Sequence, residues 1–127
     1  MFLIAFLFSS LQFSQAFAGD MGEKNECFAI GTGTIVKGNL IQGKKGAIRM
    51  ALLKGVEDYL VRLLGNQAVA THFESLANEI LPNIDQEIQN FHILSEQQVG
   101  NRYTVFVKMK INENSMAEKL REAGVFQ

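Results

Sequence analysis

The chain has one cysteine, one proline and no charged side chain before Asp20. Cys27 alone cannot close an internal disulfide, so the fold must rest on packing. Its predecessors Lys24, Asn25 and Glu26 are charged or polar, unlike the small apolar residues that precede a lipid-attachment cysteine. Cys27 therefore reads as a buried, inert strand residue. Excess positive charge is missing too. Twelve Lys and Arg against 13 Asp and Glu leave a formal net charge of −1, which cannot hold nucleic acid or anionic lipid electrostatically. No low-complexity linker or internal repeat divides the chain.

What the first residues do contain is apolar. Residues 1–8 (MFLIAFLF) form an uncharged block, and a Ser/Gln/Phe stretch then closes on Ala16 and Ala18. That is the apolar core and A-x-A cleavage pattern of a secretory signal, since signal peptidase accepts only small side chains at those two positions. The basic residues that normally precede the apolar block are absent, and the simplest account is a true start upstream of Met1. A retained membrane span is the competing reading, but the strongly apolar block is well short of the ~20 residues a bilayer requires. The expected organisation is a cleavable signal over 1–18, a flexible polar leader over 19–25 and one domain over 26–127. Removing 18 of 127 residues leaves 127 − 18 = 109, enough for one modest core. The place of work is then the periplasm.

The domain itself reads as strand, helix, helix, strand, strand, helix. Residues 26–36 are rich in β-branched types, and Gly31 and Gly33 share one face, which suits a closely packed helix. Lys37, Gly38 and Asn39 are turn chemistry. From Lys44 to Leu64 the residues Ile48, Leu52, Val56, Tyr59 and Leu63 recur at helical steps, with Ala47, Ala51 and Gly55 as a second, small-residue row and Gly65 as terminator. A second helix is expected over 67–81 with Val69, Phe73, Leu76 and Ile80 inward, ended by Pro82. Ile84 and Ile88 continue as a short turn. Residues 91–99 and 103–111 flank Gly100-Asn101-Arg102 as a hairpin. Ser115 and Glu118 have capping-box spacing and introduce a last short helix stopped by Gly124. Segregated helices on one face of a small, largely antiparallel sheet define an α+β domain.

Catalytic and ligand motifs fail on inspection. Gly38 to Lys44 matches G-x-x-x-x-G-K, but Lys45 replaces the Ser or Thr that would hold Mg²⁺, so the glycines read as turn residues. Gly31-Thr32-Gly33 lacks the third glycine of a dinucleotide fingerprint, because Val36 stands there. His72, His92 and Cys27 share no metal-ligand spacing, and no G-x-S-x-G is present. Asp85 and Glu87 read as solvated charges in a polar turn. No catalytic, cofactor or metal residue is therefore assigned. Among the aromatics, Tyr59, Phe73, Phe91 and Tyr103 read as core. Phe106 has the opposite strand parity, and with Lys108 and Arg102 it forms a candidate partner-contact surface.

The run over residues 29–39 (AIGTGTIVKGN), followed by Ala47, Ile48, Ala51, Leu52, Val56 and Gly65, resembles the N-terminal module of bacterial flagellar assembly protein T. The second helix, the valine-rich hairpin and a closing helix with Leu120 and Gly124 are also similar, so the likeness spans about residues 26–125. Related architectures occur in other envelope lipoproteins. In the flagellar family further domains follow this module. The resemblance implies a periplasmic, non-enzymatic role in a ring around the flagellar basal body, with envelope or basal-body proteins as partners. The expected function is thus an envelope assembly or scaffold module, with no nucleic acid bound and no membrane span after cleavage. The alternative is a small-ligand or lipid-binding envelope domain, which requires an apolar pocket.

Overall fold

A computed structural model describes residues 25–125 of the chain. The expected signal, its Ala16 and Ala18 cleavage positions, and the leader over 19–24 lie outside these residues. The elements are β1 (Glu26–Thr34), α1 (Leu40–Leu64), α2 (Asn66–Thr71), α3 (Phe73–Glu79), a 3₁₀ turn (Leu81–Asn83), α4 (Ile84–Glu87), β2 (Ile88–Val99), β3 (Arg102–Ile111) and α5 (Glu113–Glu122). The three strands form an antiparallel sheet in the order β1-β3-β2. This is the expected α+β class.

Small residues decide how the sheet meets its helix. A methyl group at Gly31 would strike the backbone of Ala47 and Ala51, and one at Gly33 the backbone of Gly43 and Ala47. The bare strand face and the small residues Gly43, Ala47 and Ala51 of the helix therefore seat backbone against backbone, whereas Gly55, the next in the row, seats against the Met109 side chain. Val105, Val107, Met109 and Ile111 line the same side of β3, and Leu76, Ile80, Ile84, Met116 and Leu120 complete one buried cluster with them. The helices thus bury one face of the sheet.

Several boundaries and burials differ from expectation. Helix α1 begins at Leu40, not Lys44, because the Asn39 side chain accepts a hydrogen bond from the Gln42 amide at 3.1 Å and caps it there. The phosphate-loop-like stretch is therefore mostly first-turn helix. Leu63 lies on the expected face yet is 43% exposed. Arg62 already sits level with the start of β1, hydrogen-bonded to the Glu26 carbonyl at 3.0 Å, so the last turn passes the end of the sheet.

The second helix is not continuous. It breaks at His72 (φ −103°, ψ 18°), just after Thr71, whose hydroxyl donates to the Gln67 carbonyl at 2.9 Å. The break turns Phe73 outward to 58% exposure, whereas Leu76 and Ile80 remain buried. Phe91, also expected in the core, is exposed because it lies on the outermost strand. The hairpin turn is two residues, Gly100 and Asn101, with Gly100 at φ 60°. Asn25 belongs to the fold and not to a leader: it exchanges hydrogen bonds with Ile111 at 2.7 and 3.0 Å.

The closing helix starts two residues before Ser115. Its cap is Asn112, whose side chain accepts from the Ser115 amide at 3.2 Å. That releases the Ser115 hydroxyl to bond Glu87 Oε1 at 2.8 Å. Glu87 is not a solvated turn charge; it is completely buried. Its Oε2 makes no hydrogen bond and has the Lys119 ammonium at 3.5 Å, an ion pair at the outer limit of contact. Lys119 also donates to Gln86 Oε1 at 2.9 Å.

Candidate interaction surface

With the helices on one side, strand parity assigns the other side of the sheet to Phe28, Ile30, Thr104, Phe106 and Lys108. Ile30 stands directly opposite Phe106 across the β1–β3 ladder, and Phe28 opposite Lys108. The Phe28 and Phe106 rings stack with centroids 6.0 Å apart and planes inclined by 29°. Such a pair contributes about 0.5–1.5 kcal/mol beyond its buried area, and the two rings form one continuous aromatic platform. Ile30 beside it is 54% exposed. An aliphatic side chain left in water next to an ordered aromatic pair is the composition of an interface centre.

Charged groups rim this platform. Lys108 Nζ is 3.4 Å from Glu26 Oε2, which holds the ammonium towards β1. The sequence grouped Arg102, Phe106 and Lys108; Phe106 and Lys108 are indeed neighbours on one face. Arg102 is exposed and pairs with Thr34 and Val99 at the hairpin end, about 14 Å along the strand from Phe106. Phe28 and Ile30 are the contacts that sequence reasoning missed. Their alternation with Cys27 and Ala29 was the available signal.

Other polar groups of the domain are tied to each other. Cys27 accepts a hydrogen bond from Arg62 Nη2 at 2.9 Å and is buried. Burial raises the thiol pKa above its ordinary 9.0 despite the guanidinium, which pulls the other way. The thiol therefore stays protonated at neutral pH, as an inert residue should. Near the start of α1, Lys44 pairs with Glu96 at 3.0 Å, and the Tyr103 hydroxyl donates to the same carboxylate. The Tyr103 hydrogen bond, then Lys44, holds the Glu96 carboxyl below its ordinary range. The Glu96 carboxylate in turn raises both Lys44 and Tyr103.

Among the described residues no group of three or more His, Cys, Asp or Glu side chains could hold a metal ion. Nor, among those residues, is any helix long and apolar enough to cross a membrane. Ile80, Val105 and Val107 are fully buried in one packed cluster, whereas Phe73 lines a half-open groove of about 320 Å³ with Leu60, Leu76 and Leu81.

Fold and surface together define a small α+β domain with one helix-covered and one open sheet face. Comparison with protein-family models, curated proteins and solved structures gives no match to this chain.

Proposed function

We propose that this protein is an exported, non-enzymatic assembly or scaffold module of the bacterial cell envelope, docking on protein partners through the open face of its sheet. The observation that carries the reading is the stacked Phe28–Phe106 platform with Ile30 exposed beside it. Large apolar groups gathered at one place on a surface favour association, because covering them removes apolar area from water. Near-neutral charge fits a protein partner better than a polyanion. Export rests on the Met1 to Ala18 pattern, and the flagellar basal body is the proposed setting on the family resemblance.

The test joins a surface change to a location. Photo-crosslinking from position 30 in living cells should trap envelope proteins, with basal-body components among them. Phe106→Glu should abolish the crosslink while leaving thermal unfolding within a few degrees of the parent. Absence of any envelope partner, together with unchanged motility and envelope integrity on deletion, would reject the proposal.

A further inference from the structure

The outer edge of the sheet carries a second surface, independent of the open face. Strand β2 is the longest strand, 12 residues, and among the described residues its only strand partner is β3. It is exposed along nearly its whole length, with only Ile88 and Ile93 half-buried. A free edge of that length presents a row of backbone donors and acceptors, and folded proteins ordinarily guard such edges with lysine, proline, bulges or covering segments. The opposite edge, β1, has a guard: Arg62 reaches its first carbonyl and its Cys27 sulfur. β2 (IQNFHILSEQQV) has no lysine, arginine or proline, and its irregularities are two register shifts against β3, at Ile88/Asn90 and Ile93/Ser95, which leave the runs 90–93 and 95–99 regular. Its one acidic residue, Glu96, is already neutralised by Lys44.

We propose that β2 pairs with β2 of a second copy of this chain, antiparallel about a two-fold axis normal to the sheet. The result is one six-stranded sheet in the order β1-β3-β2-β2-β3-β1. The chemistry of the strand selects its own copy as occupant. Gln89, Asn90, Gln97 and Gln98 carry amides that donate and accept equally, so identical strands satisfy one another. No bare like charges meet, because each Glu96 keeps its own Lys44. The axis also keeps both helix layers on one side. There, a half-open cleft of about 340 Å³ beside Leu52, Ile88 and Phe91 receives an apolar side chain of the added strand. Phe91 and Leu94, both exposed in the single chain, become covered.

The experiment is sedimentation of the full chain as recovered from its expressing host, over a wide concentration range, with hydrogen exchange on the same samples. A monomer–dimer equilibrium is expected, and amides of residues 88–99 should exchange more slowly as concentration rises while those of β1 stay constant. Phe91→Lys and, separately, the more exposed Leu94→Lys should each weaken the dimer at least ~10-fold, because each lysine replaces an apolar side chain that the added strand covers and its charge must be desolvated there. Phe106→Glu should leave it intact, which separates this interface from the open face. A monomer at every concentration overturns the proposal, as does an open-ended assembly. So does a dimer indifferent to both lysine variants, or one whose β2 amides ignore concentration.

Discussion

Gly31 and Gly46 respond in opposite ways to the same methyl group. At Gly31 the added carbon meets the Ala47 and Ala51 backbone and lies 2.9 Å from Ala51 Cβ, so strand and helix must separate. Gly31→Ala should therefore cost about 1–3 kcal/mol, the usual penalty for overpacking a core. Thermal denaturation should show it as a fall of roughly 4–8 °C for each kcal/mol. At Gly46 the nearest atom is Gly33 Cα at 3.8 Å, an ordinary contact on an exposed helical position. Gly46→Ala should stabilise by about 0.5–1 kcal/mol through helix propensity. Equal melting temperatures for the two variants would contradict the backbone-on-backbone contact. Gly55 is intermediate, because a methyl there meets the movable end of the Met109 side chain. Gly55→Leu should still lose about 1–3 kcal/mol, since the larger group must displace the Met109 side chain from a packed core. An unchanged midpoint in urea would mean that Gly55 faces water.

Two of the polar clusters that fasten elements to one another were hidden in the sequence. Glu87 ties α5 to α4 through the Ser115 hydroxyl at 2.8 Å. Ser115→Ala strands a buried carboxylate oxygen, which should cost about 1–3 kcal/mol and quicken amide exchange across α5. The same change in a Glu87→Leu background should cost almost nothing, because no acceptor is then left unpaired. Full additivity in that double-mutant cycle would contradict the fastening. The second cluster, Lys44 with Glu96 and Tyr103, joins α1 to the hairpin. Glu96 has a folded pKa lowered from 4.5, so its stabilisation is present above pH 4.5 and disappears as pH falls through the folded value. Tyr103 and Lys44 are raised from 10.0 and 10.5, so their share is present below those values and disappears as pH rises through the folded ones. The melting-temperature gap between wild type and Glu96→Gln should be open across neutral pH and close at both ends. A gap independent of pH would show that the cluster contributes nothing. Neither cluster has a sequence signature: capping-box spacing pointed to Ser115 as a cap, and Glu87 looked like any acidic residue in a turn. Their roles come from partners 28 and seven residues away.

For the whole molecule, the proposed export makes a prediction about mass. Protein recovered from the periplasm of its host should begin at Gly19, because Ala16 and Ala18 are the small residues signal peptidase requires. Ala18→Arg should accumulate a membrane-held precursor. A soluble periplasmic species that retains residues 1–18 would remove the basis for the periplasmic reading. The proposed dimer adds a second demand: the open face and the β2 edge must respond to different substitutions.

The sequence by itself determined the order of strands and helices, the turns at Gly38, Gly65 and Gly100, and the bare or apolar faces of β1 and β3. Gly31, Gly33, Ala47 and Ala51 predicted a close helix–sheet contact because absent side chains permit only one kind of packing. The alternation over β3 predicted which side is buried because successive strand residues point to opposite faces. Only the tertiary structure decided the order β1-β3-β2, and with it the exposure of β2, since strand order depends on contacts distant in sequence. It also decided that Phe73 faces water, because a break at His72 resets the helical phase. The burial of Glu87 was settled the same way: a charge enters a core only where partners from another element, here Ser115 and Lys119 of α5, converge on it.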